Sequence, residues 1–228
     1  MRLLYPEARE GEPAELYRLD PRPGAPAGRP WVVVNMIATV DGAVAVEGRS
    51  GGLGGPVDRA VFHALRAAAD VVLVGAGTVR AERYGPPKVP GLRIAVVSNR
   101  LELDWSWPLF GEGRPIVVTT RTSGPVPSGV DAVRAGDDRV DLPAALAALA
   151  ERGARVVLCE GGPSLNGSLL EHDLLDEVCL TLSPMLAGGR GGRMALSAEA
   201  HLRRLQLVHA ATADDGFLYL RYARPEGS

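Results

Sequence analysis

The chain is short of cysteine. Cys159 and Cys179 are the only two in 228 residues, each inside an apolar strand-like run. They read as small buried hydrophobes and exclude a disulfide framework. No apolar run approaches the roughly 20 residues of a membrane span. Residues 1–30 also lack the continuous apolar core of a signal peptide, so the expected setting is the cytoplasm, with no membrane partner. Neither sign of charge is in excess. Lys+Arg is 25 and Asp+Glu is 27, a net charge of −2, so no broad basic surface for nucleic acid is expected. A local anion pocket needs only a few arginines and stays open.

Hydrophobic residues make up 46% of the chain, enough for one core. Residues 1–30, rich in Pro, Gly, Arg and Glu, read as an extended N-terminal arm, and 31–228 as a single domain. Val/Ile/Leu runs bounded by turn residues predict strands at about 31–40, 70–75, 93–98, 115–119, 155–159, 176–183, 204–212 and 217–223. Four of them, at 70–75, 93–98, 115–119 and 155–159, are continuously apolar, as in parallel strands covered on both faces. The last two turn at "DDG" and read as an antiparallel hairpin. "PVDRAVFHALRAAAD" places Val61, Leu65 and Ala68 on one helical face, with Pro56 and Asp58 at its start. "DLPAALAALAERG" and "PSLNGSLLEHDLL" are two further helices, the second interrupted by Asn166 and Gly167. The expected fold class is α/β: a mixed, mostly parallel sheet with flanking helices and a C-terminal antiparallel hairpin.

Two of the apolar strands run into glycine. One continues as Gly75-Ala76-Gly77-Thr78, the other as Glu160-Gly161-Gly162-Pro163-Ser164. A strand, a glycine turn and a hydroxyl at a helix start present free backbone N–H groups and the positive end of a helix dipole, which suits phosphate. Neither turn fits G-x-G-x-x-G, since Arg80 stands at the third glycine position, and neither is a Walker A loop. Ligands of open sheets bind at strand C-terminal ends. A third such end, "RIAVVSNR", adds Ser98 and Arg100, a hydroxyl and a guanidinium suited to a phosphate monoester such as the 2′-phosphate of NADP. A dinucleotide carrying a 2′-phosphate is the expected ligand.

"NMIATVDGAVAVEGRSGG", "LRAAADVVLVGAGTV" and "CEGGPSLNGSLLEHDLLDEVCLTLSPMLAGG" occur in this order. Together they resemble the reductase domain of the bifunctional deaminase-reductases of riboflavin biosynthesis, over residues ~31–223. The resemblance implies a dihydrofolate reductase-like fold, NADPH as cofactor and a homodimer. It implies reduction of the ribosyl group of a phosphoribosylamino-pyrimidine to the ribityl form. On the cofactor side it places Ile37, Gly77, Thr78, Glu82 (where the family usually has aspartate), Ser98 and Arg100. The second loop, Gly161, Gly162, Pro163, Ser164 and Leu165, belongs to the same side. On the substrate side it places Asn35, Ser50, Arg66 and Glu160, with Asp41 and Glu160 as candidates for polarising or protonating substrate.

The chain departs from the family at several of these positions. Asn35 replaces a lysine, Gly52 a tryptophan, and Gly54-Gly55 a Thr-Ser pair. The family's substrate-phosphate arginine is matched only at shifted spacing, by Lys88 or Arg93. The cofactor motifs are therefore better kept than the substrate motifs. A pterin such as dihydrofolate as substrate, or an NADP-binding sensor without turnover, are the two alternative readings. The deaminase half needs H-x-E and P-C-x-x-C for zinc. The four histidines here form no such set, so no metal site is expected, and His63 reads as a surface or packed residue.

Overall fold

A computed structural model of the chain describes residues 1–17 and 28–225. The sheet begins before the expected domain boundary. β1 (Arg2–Tyr5) and β2 (Arg9–Glu10) form a small antiparallel pair, and β1 also pairs with β10 (Gln206–Thr212). Residues 2–10 are thus a sheet edge and not an extended arm. "RLLY" is too short a run to announce a strand, and its pairing partner lies at the other end of the chain. α1 (Pro13–Leu16) follows, with Leu16 and Tyr17 buried. Residues 18–27 of the expected arm lie outside the described residues.

From Trp31 the expected strands and helices appear in order, with a helix at Pro108–Gly111 and a strand at Asp131–Arg134 as additions that were not expected. β3 (Trp31–Thr39), α2 (Pro56–Ala67), β4 (Val71–Gly75), α3 (Ala76–Glu82) and β5 (Arg93–Val97) come first. α4 (Pro108–Gly111), β6 (Ile116–Thr119), β7 (Asp131–Arg134) and α5 (Leu142–Glu151) follow. β8 (Val156–Cys159), α6 (Pro163–Glu171), β9 (Glu177–Ser183), β10 and β11 (Leu218–Ala223) complete the fold. The described residues form one 11-stranded sheet in the order β2-β1-β10-β11-β9-β3-β8-β4-β5-β6-β7. Pairing is parallel from β9 through to β7 and antiparallel on the other side. β8 lies between β3 and β4.

The central strands are apolar throughout because both faces are covered. Val33, Val72, Val74, Ile94 and Val96 pack with Val61 and Leu65 of α2 and Val79 of α3. Val32, Val34, Leu73, Ile116 and Val118 pack with Leu146 and Leu149 of α5 and Leu169 of α6. The polar interruption of α6 has a cause. Asn166 is fully buried, its amide donates to the Met194 carbonyl at 2.7 Å, and its carbonyl accepts from the Cys159 thiol at 3.2 Å. At Gly167 a Cβ would run into the Leu196 carbonyl oxygen, so glycine lets the 194–196 segment lie against the helix.

Under the antiparallel side sits a buried ion pair. Glu177 accepts from Arg221 Nε at 2.7 Å and from Trp31 Nε1 at 3.2 Å. Beside it His209 stands edge-on to Tyr17, ring centroids 4.8 Å apart. Burial, helped by the Arg221 charge, lowers the His209 pKa to about 4.

Candidate active site

A cleft of about 780 Å³ opens where β3, β4 and β8 end. One wall is made by the two glycine turns. Gly75 caps α3 and Gly162 caps α6, both without a side-chain cap, and Gly77, Thr78, Gly162, Pro163, Ser164 and Leu165 line the cleft. The first N–H groups of an α-helix have no acceptor within it, so the start of α6 offers Ser164 and Leu165 N–H to whatever lies there. The turns touch each other: Gly75 N–H donates to the Gly161 carbonyl at 2.8 Å. A Cβ at Gly162 would come within 2.9 Å of Thr78 Oγ1. Gly161 adopts φ +85°, a left-handed conformation that favours glycine. A phosphate group fits this cradle in charge and in room.

The opposite wall comes from β3, the 44–55 loop and α2, with Asn35, Ile37, Ser50, Asp58, Arg59, Phe62 and His63 among its residues. Three carboxylates line the cleft. Glu160, 3% exposed at its side chain, is gripped by Arg66, with Nε to Oε1 and Nη2 to Oε2 both at 2.7 Å. Tyr84 donates to the same carboxylate at 2.6 Å. The Arg66 guanidinium lies 4.2 Å from the Phe62 ring centroid. Burial opposes its charge, and Glu160 more than offsets that, so the Arg66 pKa is raised. Burial and then Glu160 push the Tyr84 phenol well up, keeping it a hydrogen-bond donor. Glu82 accepts from Ser50 N–H at 2.7 Å and Ser50 Oγ at 3.0 Å, tying the 44–55 loop to α3. Asp58, in the first turn of α2, is the third.

A family model described as the RibD C-terminal domain matches residues 30–219. The chain belongs to this family. Among curated members it is 30% identical over 209 residues to the 2,5-diamino-6-ribosylamino-4(3H)-pyrimidinone 5′-phosphate reductase of Methanothermobacter thermautotrophicus, covering 83% of this chain and 96% of that one. Among solved structures it is similar to a pyrimidine reductase-like protein from Corynebacterium diphtheriae, with TM-score 0.80, 22% identity, and 93% and 98% of the two chains covered. The dihydrofolate reductase of Enterococcus faecalis, solved with NADP(H), aligns with TM-score 0.55 at 13% identity over 86% of this chain and 97% of that one. The expected dihydrofolate reductase-like fold is the one observed.

Within this RibD-type domain the structure brings together most of the expected residues. Asn35, Ile37, Ser50, Gly77, Thr78, Glu82, Glu160 and Gly162 to Leu165 all line one cleft, and Gly161 links two of them. Four expectations need correction. Asp41 lies outside the cleft and is exposed. It accepts from Thr39 Oγ1 at 2.5 Å, Gly188 N–H at 2.7 Å and Ala187 N–H at 3.1 Å. These bonds, the Thr39 hydroxyl foremost, lower its pKa to about 2. It pins the loop after β9 to the turn after β3 and is no source of protons. Arg66, expected to anchor a substrate anion, lies behind Glu160 with its charge already engaged. Ser98 and Arg100 stand outside the cleft, just past the end of β5: Ser98 is buried, while the Arg100 side chain is 83% exposed. Tyr84 and Asp58 were missed as site residues. Tyr84 follows α3 through the left-handed Arg83, a turn with no sequence mark, and Asp58 reads locally as nothing more than a helix-start charge.

Proposed function

We propose that the chain reduces 2,5-diamino-6-ribosylamino-4(3H)-pyrimidinone 5′-phosphate, the substrate in its relatives' names, with NADPH as reductant. One observation carries the reading: a single cleft joins an uncapped helix start, suited to a dinucleotide phosphate, to a half lined by carboxylates that suits an amine-rich heterocycle. When bound, NADPH supplies hydride. The chain's own residues bind and orient. Ser164 and Leu165 N–H and the Thr78 hydroxyl would hold the cofactor's phosphates. Glu160, fixed by Arg66 and Tyr84, accepts from the amino groups of the pyrimidine. Arg59 and Lys88 line the cleft and make no ion pair among the described residues, which fits them to the substrate's phosphate. Catalysis by such a site is mostly orientation.

The test is NADPH consumption with this pyrimidine, with dihydrofolate, and with no substrate. Consumption with the pyrimidine alone supports the proposal. Consumption with dihydrofolate alone transfers the site to a pterin, and NADPH binding without consumption in any arm makes it a sensor.

A further inference from the structure

Asp58 is the third helical residue of α2, after Gly55 as N-cap. Asp58 is one of the residues that line the cleft, and it lies beside the Thr181 hydroxyl of β9, which favours its charged form. Glycine at 54 leaves room for it: a Cβ there would strike the Asp58 carboxylate oxygen. Around it stand Arg59 on its own helix, Asp215 in the β10–β11 turn, Tyr219 on β11 and Tyr17 just after α1. Tyr219 donates to Asp215 at 2.7 Å. Burial is the largest influence on Asp58 and raises its pKa; the Thr181 hydroxyl pulls the other way, Asp215 adds to the rise, and Arg59 opposes it. The other carboxylates are committed elsewhere. Glu160 is held by Arg66 and Tyr84, Glu82 by Ser50, and Asp41 lies outside the cleft.

We propose that Asp58 is the acid that protonates the substrate nitrogen as its C=N bond is reduced. This rests on the reductase reading above. The glycosylamine opens to an imine when the C–O bond to the ring oxygen breaks and the amine proton passes to that oxygen. With NADPH bound, that carbon would accept its hydride, and the π pair would move to nitrogen. That nitrogen forms its N–H bond with the proton of Asp58. The product is the open-chain amine, and the Asp58 carboxylate recovers a proton from solvent at the cleft mouth.

The experiment combines carboxyl titration with kinetics on the whole chain. In protein labelled with 13C at aspartate carboxyls, one resonance absent from Asp58→Asn should titrate above the ordinary aspartate value of about 3.9 without any nucleotide bound. It should move higher still in Thr181→Val, where a bond to the charged form is lost. In turnover, kcat should fall as pH rises through that pKa, because the acid must be protonated. Asp58→Asn should lose about 10²-fold or more of kcat with little change in KM, and the falling limb should vanish. NADPH affinity equal to wild type shows that the variant is folded. A carboxyl titrating at or below 3.9, or an Asp58→Asn with wild-type kcat and pH profile, overturns the proposal alone. A wild type that turns over no substrate in the panel overturns the reductase reading and this proposal with it.

Discussion

Replacing Arg66 by alanine tests whether Glu160 is held by charge or merely packed. Arg66 is 14% exposed at its side chain and Glu160 3%, so water screens the pair little. The change deletes two charge-assisted hydrogen bonds of 2.7 Å and the contact with the Phe62 ring. It leaves a buried carboxylate with Tyr84 as its one remaining side-chain donor. Stranding one member of a buried pair costs about 3–5 kcal/mol, against about 0–1 kcal/mol for an exposed pair. Set against a total stability of about 5–15 kcal/mol, the loss is large and measurable. Arg66→Lys keeps the charge but loses the two-pronged fit, and should fall between. Arg66→Met combined with Glu160→Gln leaves neither charge, and should recover most of the loss. The assay is urea unfolding at pH 7 of wild type, Arg66→Met, Glu160→Gln and their double variant, with Arg66→Ala and Arg66→Lys alongside, at constant m-value. A loss under about 1 kcal/mol for Arg66→Ala, or a double variant less stable than either single one, would refute the reasoning.

Gly162→Ala brings a methyl group to within 2.9 Å of Thr78 Oγ1 and should weaken NADPH binding at least several-fold in a fluorescence titration, with the fold intact. Gly167→Ala pushes the helix off the Leu196 carbonyl and should cost about 1–3 kcal/mol in thermal unfolding. His209 titrates at about 4 when folded and about 6.5 when unfolded, so the folded state binds fewer protons. Its contribution is intact above pH ~6.5 and is lost as pH falls toward 4, up to about 3 kcal/mol, and His209→Phe should flatten that part of the stability–pH curve. Asp41→Asn should speed hydrogen exchange at the Ala187 and Gly188 amides and leave NADPH affinity unchanged; the reverse pattern would return Asp41 to the site.

The parallel core was legible because its strands are buried on both faces, and continuous apolar runs such as Val71 to Val74 have little else to be. The glycine turns were legible because two of them follow parallel apolar strands, at 75–77 and 161–162, where strand ends turn into helices. β1, β2 and β7 were not. Each is a short segment whose strand character comes from partners distant in the chain, and "DAVR" offers only Val133 as a fully buried residue. The roles of Asp41 and Arg66 were misjudged for a related reason. A local pattern shows that a charge is present, but whether it faces the cleft or a neighbouring element depends on packing that brings Gly188 or Glu160 to it.

The place of β8 has a consequence for synthesis. β4, β5, β6 and β7 pair in the order in which they leave the ribosome. β3 leaves before them, yet its two neighbours are β8 and β9. Until residues near Val156 emerge, β3 is an apolar strand with two open edges, beside a four-stranded sheet it cannot join. Contacts so far apart in sequence slow folding, and an unpaired apolar edge invites aggregation. The two walls of the cleft therefore meet only when the last third of the chain is made. A chain cut before β8 has every residue of the α2 wall and the first glycine turn, and no strand to bring them together.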